Sequence, residues 1–344
     1  MIAPFAAALA AFLLPGGSEF PRADPVTQAD TQSYRSEDVR YPGDSLTLAA
    51  LLMIPQRSQP CAPAAVIIQG SGNSDRSNQW ARSIAELLVG EGMVVLLTDK
   101  RGSGASEGDW RTSDFHALAR DALAGVKFLQ GRDEVDSSRV GLAGLSQGGW
   151  IAPLAAAQSG SVAFVINISG AAVGFAEQSF HEMANTARQA GLAEPEVREV
   201  LQLNRAAGEY LITGNWARYQ AARDAALQSS WRRIAEGFPG SPAIPVWTFL
   251  RGVGQFDPMP YWIQLTQPVL VLYGADDERD NVPVAESVRR LEHAFGAARK
   301  DNYRIVVVPG AGHGFIDPER HELMGEFVEV LRTWVGELLP EVLE

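Results

Sequence analysis

The stretch Gly144-Leu145-Ser146-Gln147-Gly148 decides the reading of this chain. It follows the apolar run Val140-Gly141-Leu142-Ala143 and leads straight into Gly148-Gly149-Trp150-Ile151-Ala152-Pro153-Leu154-Ala155-Ala156-Ala157. A G-x-S-x-G pattern between a buried strand and a small-residue helix puts the serine on a strained strand-to-helix turn. Glycines on either side avoid a clash with the neighbouring strand and helix. Pro153 is tolerable in the early turns of that helix, whose N-terminus directs its positive end at Ser146. Ser146 is therefore a candidate nucleophile.

The same pattern recurs at Gly104-Ala105-Ser106-Glu107-Gly108. That copy lies several residues beyond the apolar run Met93 to Thr98 and leads into Asp109-Trp110-Arg111 rather than an apolar helix. Without the strand-turn-helix setting, Ser106 reads as a loop residue.

Outward from Ser146 the chain alternates strand and helix. Ser36 to Arg40 and Ser45 to Ile54 read as an antiparallel hairpin around Tyr41-Pro42-Gly43-Asp44. Strands are expected at Ala64 to Gln69, Met93 to Thr98, Val140 to Ala143 and Val162 to Ile168, with helices at Asn78 to Leu88, Phe115 to Leu129 and Gly148 to Ala157. This order predicts an α/β fold, a mostly parallel central sheet flanked by helices. From Ala171 to Tyr261 the pattern is helical, at Phe175 to Ala190, Glu194 to Ile212 and Trp216 to Phe238. Alternation resumes with a strand at Pro268 to Tyr273, a helix at Ala285 to Phe295, a strand at Tyr303 to Val308 and a helix at Glu319 to Leu338. The expected division is a core over 31–170 and 262–344, with a helical cap insertion over 171–261. The cap is expected over the strands' carboxyl ends, where ligands of open α/β sheets bind.

Composition excludes several function classes. The 344 residues are 46% hydrophobic and 20% charged, enough for a sizeable core. A net charge of -12 argues against a nucleic-acid or anionic-membrane partner. Cys61 is the only cysteine, so no disulfide framework or thiolate cluster is available, and no metal site or cofactor is expected. Ile2 to Leu14 is an apolar run followed by Pro15-Gly16-Gly17-Ser18, too short to span a bilayer as a helix. Residues 1–30 read as a signal peptide, implying periplasmic or secreted protein, or else as an N-terminal extension of a cytoplasmic one.

Ser146 needs a base and a carboxylate to orient that base, in the chain order serine, acid, histidine. Of five histidines, His313 follows the last strand within Pro309-Gly310-Ala311-Gly312-His313-Gly314-Phe315, whose glycines let a loop carry it to the sheet's upper edge. His116, His293 and His321 fall in or beside expected helices, and His181 in the cap. Asp276, Asp277 and Asp280 compete for the acid in the loop after Tyr273, with Asp277 favoured. An oxyanion also needs two N–H donors, worth roughly 3 kcal/mol each. Gln147 N–H supplies one; Ser71 N–H, or next Gly72, supplies the other from Gly70-Ser71-Gly72.

With these residues in place, the chain resembles the α/β-hydrolase superfamily from about Ser36 to the C-terminus. Asp99-Lys100-Arg101-Gly102-Ser103-Gly104-Ala105-Ser106 is similar to the D-x-R-G-x-G-x-S loop of capped bacterial hydrolases. Phe256-Asp257-Pro258-Met259-Pro260-Tyr261 ahead of Pro268 resembles capped esterases of the dienelactone-hydrolase and prolyl-oligopeptidase-like branch. Two departures stand out: Gln69-Gly70 replaces the His-Gly of many relatives, and the acidic loop reaches Val282-Pro283 late.

The expected chemistry is acyl transfer to water, with a small-molecule carboxylic ester as substrate. An acyl-CoA thioesterase or a serine aminopeptidase is the alternative, the latter with Glu177 or Glu182 of the cap binding an amine. A noncatalytic binding protein on the same fold is the reading from another class. Phe175, Phe180, Trp216, Trp231, Phe238, Trp247 and Phe249 are expected to form mostly the cap's own core, with an acyl pocket as the alternative.

Overall fold

Short, mostly apolar runs, continuously buried in the central strands, build the sheet. The computed structural model describes residues 34–56 and 61–338, so the apolar run near the N-terminus lies outside the described residues. Strands are β1 (Tyr34–Pro42), β2 (Thr47–Pro55), β3 (Ala62–Ile68), β4 (Val94–Thr98), β5 (Val135–Leu145), β6 (Val165–Ile168), β7 (Val269–Gly274) and β8 (Tyr303–Val308). Among the described residues they form one sheet in the order β1-β2-β4-β3-β5-β6-β7-β8. β1 pairs with β2 and β2 with β4 antiparallel; the remaining pairs are parallel. This is an α/β-hydrolase fold.

Helices α1 (Gln79–Gly90), α2 (Phe115–Gln130) and α3 (Gly148–Ala157) connect the first parallel strands, and α10 (Val284–Ala297) and α11 (Gly325–Leu338) the last part of the chain. Ala65 and Ile67 of β3 pack on one face with Ile84 and Leu88 of α1 and Leu331 of α11. Ala64, Val66 and Ile68 pack on the other with Phe115 and Leu118 of α2 and Leu154 of α3. Because both faces are covered, the central strands read as continuous apolar runs. At about 25 cal/mol per Å² of apolar surface, this burial dominates the stability of the core.

Between β6 and β7 lie α4 (Phe175–Gln189), α5 (Glu194–Thr213), α6 (Trp216–Ala226), α7 (Arg232–Glu236), α8 (Val246–Val253) and α9 (Met259–Trp262). They contact the loops at the strands' carboxyl ends. Phe249 packs edge-on against Trp110 at 5.6 Å, and Gln189 Nε2 donates to Arg279 O at 2.8 Å. Asn185 Nδ2 donates to the carbonyls of Glu278 and Asp280 at 3.0 and 3.2 Å.

Three element boundaries differ from the sequence reading by five residues or more. The expected helix over Trp216 to Phe238 is broken after Ala226, where Ser229 N–H and Oγ both donate to Ala226 O. The last helix starts at Gly325 rather than Glu319. Asp317 Oδ1 accepts from Glu319 and Arg320 N–H, and Ile316 bridges to Leu323, which commits this segment to a turn. β5 begins five residues earlier than expected, because its polar stretch Asp136 to Arg139 forms an irregularity between the pairs Ala62↔Val135 and Ala64↔Val140.

Candidate active site

The end of β5 sets the position of Ser146. Its N–H donates to Ile168 O of β6 at 2.8 Å, and its carbonyl accepts from Gly149 N–H at 2.8 Å as α3 begins. The backbone between these bonds has φ +52° at Ser146, a left-handed conformation that an L-residue holds only at some expense. The flanking glycines permit the turn. A Cβ on Gly144 would lie 2.2 Å from Gly148 O, and one on Gly148 would lie 2.3 Å from Ile68 O.

Three side chains from distant parts of the chain meet here. Ser146 Oγ lies 2.9 Å from His313 Nε2, and His313 Nδ1 lies 2.7 Å from Asp277 Oδ2. Asp277 is on a 3₁₀ turn, Ala275–Arg279, directly after β7 and is wholly buried. Asp276, by contrast, is exposed and paired with Arg279 Nη2 at 2.7 Å, while its N–H donates to Ala311 O and ties the acidic loop to the His313 loop. Asp280, the third candidate, has no hydrogen bond to His313.

Burial pushes the His313 imidazole down, but the adjacent Asp277 carboxylate more than offsets this, with a smaller push from Asp280, and His313 rests above its ordinary range. The arrangement can move a proton from Oγ to Nε2 while the buried carboxylate stabilises the imidazolium. Ser169, on the loop after β6, donates its hydroxyl to His313 O at 2.7 Å and fixes that loop. Sequence reasoning missed Ser169; no local motif marks it, because its partner is 144 residues away.

The loop after β3 runs beside the nucleophile, and a Cβ on Gly70 would lie 3.5 Å from Ser146 Cβ. Among the described residues, no hydrogen bond engages the backbone N–H of Gln147 or of Ser71. Gln69, which departs from the common pattern, is buried and fully occupied. Its Nε2 donates to Asp75 O at 3.1 Å and Thr98 O at 2.9 Å, and its Oε1 accepts from Ser74 Oγ at 2.8 Å.

The D-x-R-G loop is a lock around a buried carboxylate. Asp99 accepts from Arg76 Nη2 at 2.7 Å and from Ala105 N–H at 2.9 Å. Ser106 Oγ accepts from Ala49 N–H and donates to Asp99 O, each at 2.8 Å, in keeping with a loop role.

In the helical segment, Trp231, Phe238, Trp247 and Phe249 are buried and Trp216 packs against them. Phe175, Phe180, Trp247 and Leu250 line a cavity of about 460 Å³ between α4, α5 and α8, whose walls include neither Ser146 nor His313. Glu177 is engaged by Arg290 at 2.8 Å. Glu182 is buried, and burial with the nearby Asp280 and Asp277 raises its carboxyl well above the usual range.

The model of the X-Pro dipeptidyl-peptidase (S15) family matches residues 44–311. The chain belongs to this family. The matched span of this S15 chain runs from the hairpin to the loop that carries His313 and includes Ser146 and Asp277. An uncharacterised protein of Mycobacterium tuberculosis is 33% identical over 147 residues, 43% of this chain and 50% of that protein. The quorum-quenching protein AidA of Acinetobacter baumannii is 29% identical over 157 residues, 45% of this chain and 51% of that protein. The chain spans about half the length of the curated relatives it matches. In fold, the S15 chain is similar to a Pyrococcus furiosus esterase at TM-score 0.56 and 18% identity, covering 94% of this chain and 98% of that one. It is also similar to a putative dienelactone hydrolase from Klebsiella pneumoniae at TM-score 0.55 and 15% identity, covering 88% and 99%. Family and fold together make this chain an α/β-hydrolase of the serine-hydrolase type. Among the described residues, no helix is long and apolar enough to cross a membrane.

Proposed function

We propose that the protein hydrolyses carboxylic esters through Ser146, His313 and Asp277, with residues 171–261 acting as a cap over the site. The observation that carries this reading is the unbroken hydrogen-bond chain from Ser146 Oγ through His313 to buried Asp277. His313 takes the Ser146 proton as Oγ attacks the carbonyl carbon, and returns it to the leaving alkoxide as the acyl-enzyme forms. Water, deprotonated by the same imidazole, releases the carboxylic acid and regenerates Ser146. The tetrahedral oxyanion rests on the N–H groups of Gln147 and Ser71, whose lack of internal partners supports this role.

Esters make the least demand on leaving-group protonation, which favours them over amides for this constellation. The family match favours one second reading, cleavage of an amide bond in a peptide by the same three residues.

Intact-mass measurement after fluorophosphonate treatment, beside turnover of short aryl esters and X-Pro anilides, tests the proposal. A single adduct and ester turnover, both lost in Ser146→Ala, support it. Anilide turnover without ester turnover favours the peptidase, and an unlabelled folded wild type leaves a noncatalytic binding protein.

A further inference from the structure

Lys100 follows Asp99 in the loop after β4, and it is buried. Its Nζ donates to the Gly70 carbonyl, to the Gly72 carbonyl at 3.1 Å and to Gln147 Oε1 at 3.1 Å. An ammonium has three donor hydrogens. All three are used, on the two segments that flank Ser146. The Trp110 ring closes the remaining side, 5.9 Å from Nζ.

The Gly70 contact decides what this cation does. No peptide bond among the described residues is cis, so in the planar unit joining Gly70 to Ser71 the C=O and N–H point in opposite directions. Anchoring Gly70 O on Lys100 therefore aims Ser71 N–H away from the ammonium. Gly72, at φ +72°, turns a second carbonyl of the loop onto the same cation. Across the site, Lys100 holds the Gln147 side chain while the Gln147 N–H stays unengaged. One buried charge thus ties together the two backbone segments that present the proposed oxyanion donors.

We infer that Lys100 is a positioning residue for the oxyanion hole, clamping the Gly70–Gly72 loop to Gln147 so that Ser71 and Gln147 N–H converge on one point beside Ser146. The inference rests on the serine-hydrolase reading and adds to it a residue that touches neither substrate nor nucleophile. The charge behind the Gly70–Ser71 peptide also polarises its N–H toward a developing oxyanion.

The clamp is complete only while Lys100 is protonated. Burial pulls its pKa down to about 7, and the three acceptors, which favour the charged form, oppose that pull. A neutral amine offers two hydrogens and a lone pair to three acceptor oxygens, so one contact becomes repulsive. The charged groups on the surrounding elements are engaged with one another: Asp99 with Arg76, Arg101 with Asp121 and Asp109 with Arg111. Tyr41 is held protonated by burial.

The test compares wild type, Lys100→Met and Lys100→Gln for kcat and KM on p-nitrophenyl acetate across pH, with fluorophosphonate labelling and thermal unfolding in parallel. Expected are a roughly 10- to 100-fold fall in kcat at little change in KM, and loss of an alkaline limb that wild type shows. A folded Lys100→Met with wild-type kcat overturns the inference. If neither variant folds, the wild-type profile decides: an alkaline limb supports the clamp and a flat alkaline plateau overturns it. Labelled, active wild type beside unchanged variants removes this inference alone, whereas folded wild type that neither labels nor turns over ester removes the hydrolase reading and the clamp with it.

Discussion

Asp277 Oδ2 lies 2.7 Å from His313 Nδ1, and the Asp277 side chain is wholly shut off from solvent, while its neighbour Asp276 is exposed and spends its charge on Arg279. Adjacent carboxylates in one turn thus have opposite environments. Asp277→Asn is expected to lower kcat by about 10⁴-fold, the scale seen when a triad carboxylate loses its charge and the histidine takes the wrong tautomer. Asp276→Asn should change kcat by less than about threefold, as for a screened surface pair. Steady-state kinetics on folded variants check both, and equal losses would mean that Asp277 is not the acid.

The pH dependence of kcat/KM follows from the same pair. Asp277 raises His313 over the opposing effect of burial, and the base must be neutral to accept a proton. The acid limb of kcat/KM should therefore lie above the ordinary histidine value of about 6.5. Asp277→Asn should move it to lower pH. For folding the sign is set likewise: a raised folded pKa contributes stability that is complete below about 6.5 and is lost as pH rises through the folded value. Profiles of both enzymes on one ester decide the matter.

Glycine at 144 is required by contact with backbone, which cannot move aside. Gly144→Ala would place Cβ 2.2 Å from Gly148 O, whereas a Cβ on Gly160 meets nothing within 4 Å. Overpacking typically costs about 1–3 kcal/mol, and a clash with backbone belongs at or beyond the upper end. Gly160→Ala should stay within about 0.5 kcal/mol of wild type. Urea unfolding of the two variants separates them.

Glu182 is held above the usual carboxyl range by burial, then by Asp280 and Asp277. A raised folded pKa contributes stability that is complete below about 4.3 and is lost as pH rises through the folded value. Glu182→Gln has no proton to lose. The variant should gain thermal stability relative to wild type as pH rises from acid to neutral, and a constant difference across that interval would exclude a titrating Glu182.

The alternation of strands and helices was legible in the chain, because buried parallel strands must be apolar runs and covering helices must carry apolar stripes. The sequence also marked Ser146 as the candidate nucleophile, since a turn with Cβ clearances near 2 Å leaves a glycine signature at 144 and 148 that survives in one dimension. His313 was legible from its glycine loop after the last strand. Helix starts such as Gly325 were less so, because the Asp317 turn competes with a helix by local hydrogen bonds that periodicity does not register. Tertiary structure alone decided which aspartate faces His313, for Asp276 and Asp277 differ in which one the 3₁₀ turn directs inward. It alone revealed Ser169, Gln69 and Lys100 as supports of the site. Ser169 and Lys100 bond to separate segments and Gln69 ties its own loop to Thr98, and such hydrogen bonds leave no spacing in the chain to be read.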